Sequence, residues 1–187
     1  MSSAKDSKNY VLFIDVLYAV VVGETIFQNT NDLFQKISLS TFSLIVIYCS
    51  IITSFIFWHK GISEFAHKNA NRFFIDVIVL ITYIAIVTYH SSLNVVFFGF
   101  VVLYSLYLLW DALTIWDYGE EASRFTSSLV NLGIAFGISV LWFILSRLNP
   151  FYADIIALSC LLIFIVVSQI HDIRQLTKIK KRYYEVV

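Results

Sequence analysis

Charge is what this chain has least of. Only 14% of its 187 residues are Asp, Glu, Lys or Arg, whereas soluble domains carry about 25%. One proline and six glycines leave no stretch that reads as linker or low-complexity sequence. Cysteine is nearly absent too. Cys49 and Cys160 stand alone in apolar runs with no Cys-x-x-Cys spacing, which argues against a disulfide framework and a zinc site and for two buried thiols. Acidic and basic residues balance at a formal net charge of zero, so a nucleic-acid partner is not expected. No phosphate loop, no nucleophile–base constellation and no paired metal carboxylates of recognisable spacing occur. The expectation is therefore a non-enzyme without cofactor or metal.

What the chain has instead is hydrophobicity, 59% of residues, with a mean hydropathy of +0.79. A bilayer core needs about 20 apolar residues per spanning helix, and six stretches approach that length. They are Tyr10–Phe27, Thr41–Trp58, Phe73–Tyr89, Val95–Trp116, Ser127–Leu145 and Phe151–Ile170. The expected fold class is all-α: a polytopic membrane protein with six transmembrane helices in one domain spanning residues 1–187. Pro150 precedes the sixth run, where a proline is tolerated. The first run contains Asp15 and Glu24 and lacks a convincing small-residue cleavage site, so it reads as a retained helix and not as a signal peptide.

Lys and Arg sort by side. With six spans, one face receives Lys5, Lys8, Lys60, Lys68, Arg72, Arg124, Arg174, Lys178, Lys180, Lys181 and Arg182; the other receives Lys36 and Arg147. Basic flanks stay cytoplasmic, so eleven against two predicts that both termini are cytoplasmic. Residues 171–187 form a basic cytoplasmic tail suited to anionic head groups or to fixing topology. The expected setting is an integral protein of the cell membrane, with the lipid bilayer as its surrounding partner.

Ionisable groups inside a span cost about 2.5–3.5 kcal/mol at the bilayer centre, so each needs a reason to be there. Asp15, Asp76 and Asp111 fall near the cytoplasmic boundary, with His59 closing the second run and His171 and Asp172 closing the sixth. Asp15 and Asp76 suit the positive ends of helix dipoles, whereas Asp111 and Asp117 need partners such as His59, Arg124 or water. Asp15, Trp58, His59, Asp76 and Asp111 are thus expected to form a cytoplasmic polar cluster. It either locks helix ends together or belongs to a proton or ion path. Glu24, Asp154 and His90 fall toward the outer side. The fifth run carries Gly133 and Gly137 four apart, a packing face for close helix approach. Asn131, Ala135 and Ser139 make a polar-small stripe that packs on another helix or lines a wet cavity.

Phe13-Ile14-Asp15-Val16-Leu17-Tyr18-Ala19, with Phe55-Ile56-Phe57-Trp58-His59 at the end of the second run, resembles the signature of the transmembrane protein 175 family of cation channels. Phe13, Asp15, Tyr18, Ala19, Trp58 and His59 match it. Ile14, Val16 and Asn9 depart from its Ser, Gly and Arg positions. The resemblance implies a homo-oligomer, a tetramer, that prefers potassium among monovalent cations and has a pore lined by the first helix. An apolar constriction at Leu17 and Val20 and an outer mouth at Glu24 would follow. No Thr-Val-Gly-Tyr-Gly-like loop is present, which excludes a carbonyl-lined filter. The competing expectation is a non-catalytic membrane subunit or assembly factor that conducts nothing. A haem between spans is disfavoured because the histidines fall at opposite faces, and matched interrupted helices of a transporter are absent.

Overall fold

The computed structural model describes residues 4–34, 38–64, 70–119 and 125–186. Those residues form seven helices: α1 (Ala4–Gln28), α2 (Thr30–Phe34), α3 (Leu39–Glu64), α4 (Ala70–Thr88), α5 (Leu93–Tyr118), α6 (Phe125–Ser146) and α7 (Pro150–Val186). All but the short α2 are long and apolar enough to cross a membrane, so six spanning helices stand as expected. The reason is backbone chemistry. An apolar solvent leaves no partner for a bare N–H or C=O, and a helix closes those bonds within one segment.

The helices outrun the apolar runs. α3 continues past Trp58 to Glu64, and α4 begins at Ala70, so His59 and Arg72 lie inside helices and not in a polar break. The last helix starts at Pro150, where the missing N–H is no loss. It extends through the basic tail, roughly 27 Å beyond Ser168 at 1.5 Å per residue. Lys36, Lys68 and Arg124 fall outside the described residues.

Packing follows a closed order: α4 on α5, α5 on α6, α6 on α7, α7 on α3, and α3 back on α4. α1 lies against α4 and α3, outside that ring. One face of α1 is buried (Ile14, Tyr18, Val21 and Thr25), at the three-to-four residue spacing of a helix stripe. α4 and α5 meet most closely at Gly99, where a Cβ would run into the side chain of Ile86. Gly119 ends α5 with φ +90, and its N–H returns to the Ile115 carbonyl at 2.8 Å.

Ends pair across the bundle. Asp15 meets His59, Arg72 meets Asp117, and Ser127 lies 3.4 Å from His171. These join α1 and the starts of α4 and α6 to the last turns of α3 and α5 and to α7 just beyond its apolar span, a level called the basic end below. At the opposite end Ser40 meets Ser91, and the Trp142 indole donates to Asp154 at 2.8 Å.

Candidate functional site

The residues expected in one polar cluster separate into two. At the rim of the basic end, His59 Nδ1 lies 3.4 Å from Asp15 Oδ1, with the side chains 55% and 29% exposed. This pair ties α1 to α3, helped by aromatic contacts just beneath it. Tyr18 sits 5.1 Å from Phe55 and 5.9 Å from Trp58, ring centre to ring centre. Trp58 is itself buried. On its other flank α1 uses Tyr10 and Phe13, whose rings lie 5.0 and 5.7 Å from Phe73 of α4.

The second cluster is internal and centres on a residue counted above among the basic flanks. Arg72 has no exposed surface. Its guanidinium lies 4.1 Å from the Trp110 ring centre and 5.9 Å from that of Tyr118, and 3.8 Å from Asp117. Asp76, one turn along α4, and Asp111 are within electrostatic reach. The Ser128 hydroxyl of α6 donates to Asp111. Thus Asp76 and Asp111 come together around Arg72, while Asp15 and His59 form a separate pair. A guanidinium is weakly hydrated and stacks on aromatic faces, which suits this setting better than an ammonium would. The i, i+4 spacing of Arg72 and Asp76, with two aspartates closing α5, was the sequence signal for it.

Mid-bundle hydroxyls were also missed. Ser50 Oγ and Ser54 Oγ of α3 pair with Tyr83 OH of α4 and Tyr107 OH of α5, at 2.9 and 2.6 Å. Tyr83 OH and Tyr107 OH are 2.9 Å apart. Their signal was Ser50 and Ser54 on one face of α3, with Tyr83 two turns beyond Asp76 on α4.

The expected pore residues sit on α1 as follows. Val20 is 59% exposed, whereas Leu17, one turn earlier and nearer the covered side, is partly buried against the core. Glu24 is exposed and accepts a 2.7 Å hydrogen bond from Gln28. Leu12, Val16 and Phe27 join Val20 on the uncovered side of α1. On α6, Gly133 and Gly137 face open space, so among the described residues nothing packs where their side chains would be. The Asn131–Ala135–Ser139 stripe is the face that turns inward. Asn131 and Ala135 are buried, and Ser139 Oγ donates to the Ala135 carbonyl at 2.9 Å, with the Phe97 carbonyl of α5 at 3.4 Å.

Among the described residues no group of three or more His, Cys, Asp or Glu could hold a metal ion. Comparison with protein-family models, curated proteins and solved structures gives no match for this chain.

Proposed function

We propose that the chain is the subunit of an oligomeric cation channel whose pore is lined by the outer face of α1. The observation that carries this reading is the position of α1. It holds the bundle by one face and leaves an apolar stripe through Val16 and Val20 exposed among the described residues, with Glu24 beyond it. Copies of α1 around an axis would bring that stripe together as a dewetting constriction, and a ring of Glu24 carboxylates would concentrate cations at one mouth. Val20, not Leu17, is then the narrowing residue. The resemblance at Phe13, Asp15, Tyr18, Trp58 and His59 supports a tetramer and potassium preference. The Lys and Arg asymmetry supports termini in the cytoplasm of a cell-membrane protein.

The same open faces would also serve a non-conducting subunit, since Gly133 and Gly137 offer a flat contact to another helix. Thiol modification separates the two readings. In a background with Cys49 and Cys160 replaced by Ala, V20C should give a potassium flux that a small charged thiol reagent blocks. I163C, on a 63% exposed position of α7, should give a flux the reagent leaves alone. Block at I163C but not at V20C would move the route away from α1.

A further inference from the structure

The inward face of α4 carries Asp76 and Tyr83, seven residues apart, and His90 follows after another seven residues in the turn that leaves α4; all three are buried. Seven residues are almost two full turns, so Asp76 and Tyr83 share one line of α4, about 10 Å apart at 1.5 Å per residue, and His90 lies just past the end of the helix. They run from near the basic end, through mid-span, to the opposite end.

Hydroxyls fill the first interval. Tyr18 of α1 lies within electrostatic reach of Asp76 and close to Ser54. Ser54 bonds Tyr107, Tyr107 bonds Tyr83, and Tyr83 bonds Ser50, at 2.6, 2.9 and 2.9 Å. These side chains come from four helices. Lipid-facing hydroxyls elsewhere behave differently: Thr82, Thr88 and Ser105 each donate back to the carbonyl four residues earlier, the usual local solution. Structural satisfaction would have been available to Ser50 and Ser54 in the same way. Their hydroxyls instead join a chain in which either oxygen of each pair can donate, because every hydroxyl is both donor and acceptor.

The second interval is apolar. Between Tyr83 and His90 the inward face of α4 holds Ile86 and Val87, and Ile86 is seated on Gly99 of α5. At the far side, His90 Nδ1 is 2.8 Å from the Val87 carbonyl. A carbonyl cannot donate, so Nδ1 carries the hydrogen and Nε2 keeps the lone pair that accepts a proton.

We propose that this face of α4, with the turn that follows it, is a proton path through the single chain, from Asp76 through the Ser54, Tyr107 and Tyr83 hydroxyls to His90, closed at Ile86. It is separate from the α1 route and does not depend on it. Each hydroxyl passes its proton forward as it takes one from behind. Asp76 releases a proton into the chain and is reprotonated from the solution at the basic end, and His90 Nε2 receives one proton and releases it at the other end. No electrons move. Arg72 on α4 and Tyr18 on α1 are within electrostatic reach of Asp76, and Asp111, Asp117 and Tyr118 of α5 surround Arg72.

The test uses the full chain in liposomes with a proton-sensitive dye inside, driven by a potassium gradient and valinomycin. Wild-type protein should acidify the lumen faster than empty vesicles. Y83F and D76N should each slow that uptake roughly tenfold or more. I86A, which shortens the apolar plug, should speed it, a gain that a purely structural role does not produce. Potassium flux, measured separately, should stay at the wild-type level in Y83F. V20W should leave proton uptake unchanged. If Y83F fails to assemble, D76N and I86A decide the matter. Wild-type uptake equal to that of empty vesicles overturns the proposal, as does uptake unaltered by both D76N and I86A. Proton uptake abolished by V20W also overturns it, while leaving the α1 route standing.

Discussion

Arg72 shows how little a residue's type says about its place. Read along the chain it belongs with the basic flanks; in the bundle it is fully buried over Trp110 with Asp117 at 3.8 Å. Burying an isolated guanidinium costs several kcal/mol, and nearby carboxylates and a ring face offset that only while all remain in place. R72M would leave Asp76, Asp111 and Asp117 without their cation. The expected loss is about 3–5 kcal/mol, read as a lower midpoint of thermal unfolding in detergent. R72K should recover little of it, since an ammonium lacks the planar stacking surface. A wild-type midpoint in R72M would show that the cluster contributes no net stability. The Asp15–His59 pair is another matter, because solvent screens an ion pair exposed at the rim and such pairs contribute about 0–1 kcal/mol.

At the scale of elements, the six apolar runs were legible because one physical demand dominates: a spanning helix must be long and apolar. Their ends were less so. Polar residues such as His59 and Arg72 read as loop, yet helical geometry continues through them until the chain must turn. Which glycine matters was not legible either. Gly133 and Gly137 have the recognised spacing, but they face away from the bundle, and the close approach is made by Gly99 on Ile86. Spacing along one helix reports a flat face without saying what lies opposite. G99A should therefore destabilise the α4–α5 contact by overpacking, about 1–3 kcal/mol, and I86V should restore part of the loss. The corresponding G133A should cost the isolated chain nothing measurable, since no atom lies within 4 Å of the added methyl. Equal losses at both glycines would contradict the packing described here.

For the whole molecule, hydropathy predicted the class of the fold, and the ring order of helices needed three dimensions. Alternation of side chains along α1 could not say which face the bundle covers. Tyr18 and Ile14 turn inward, and Val20 is left out. That asymmetry divides Leu17 from Val20 and gives the proposed channel a single narrowing residue per subunit. It also makes the proposed function a property of an assembly and not of one chain. Ion flux from liposomes holding the purified wild-type protein, compared with V20W, tests that most directly. The account predicts a potassium flux above that of empty vesicles, lowered roughly tenfold or more in V20W, which corresponds to about 1.4 kcal/mol on the barrier. No flux of potassium from a well-folded, correctly inserted oligomer, or an undiminished flux in V20W, would contradict it.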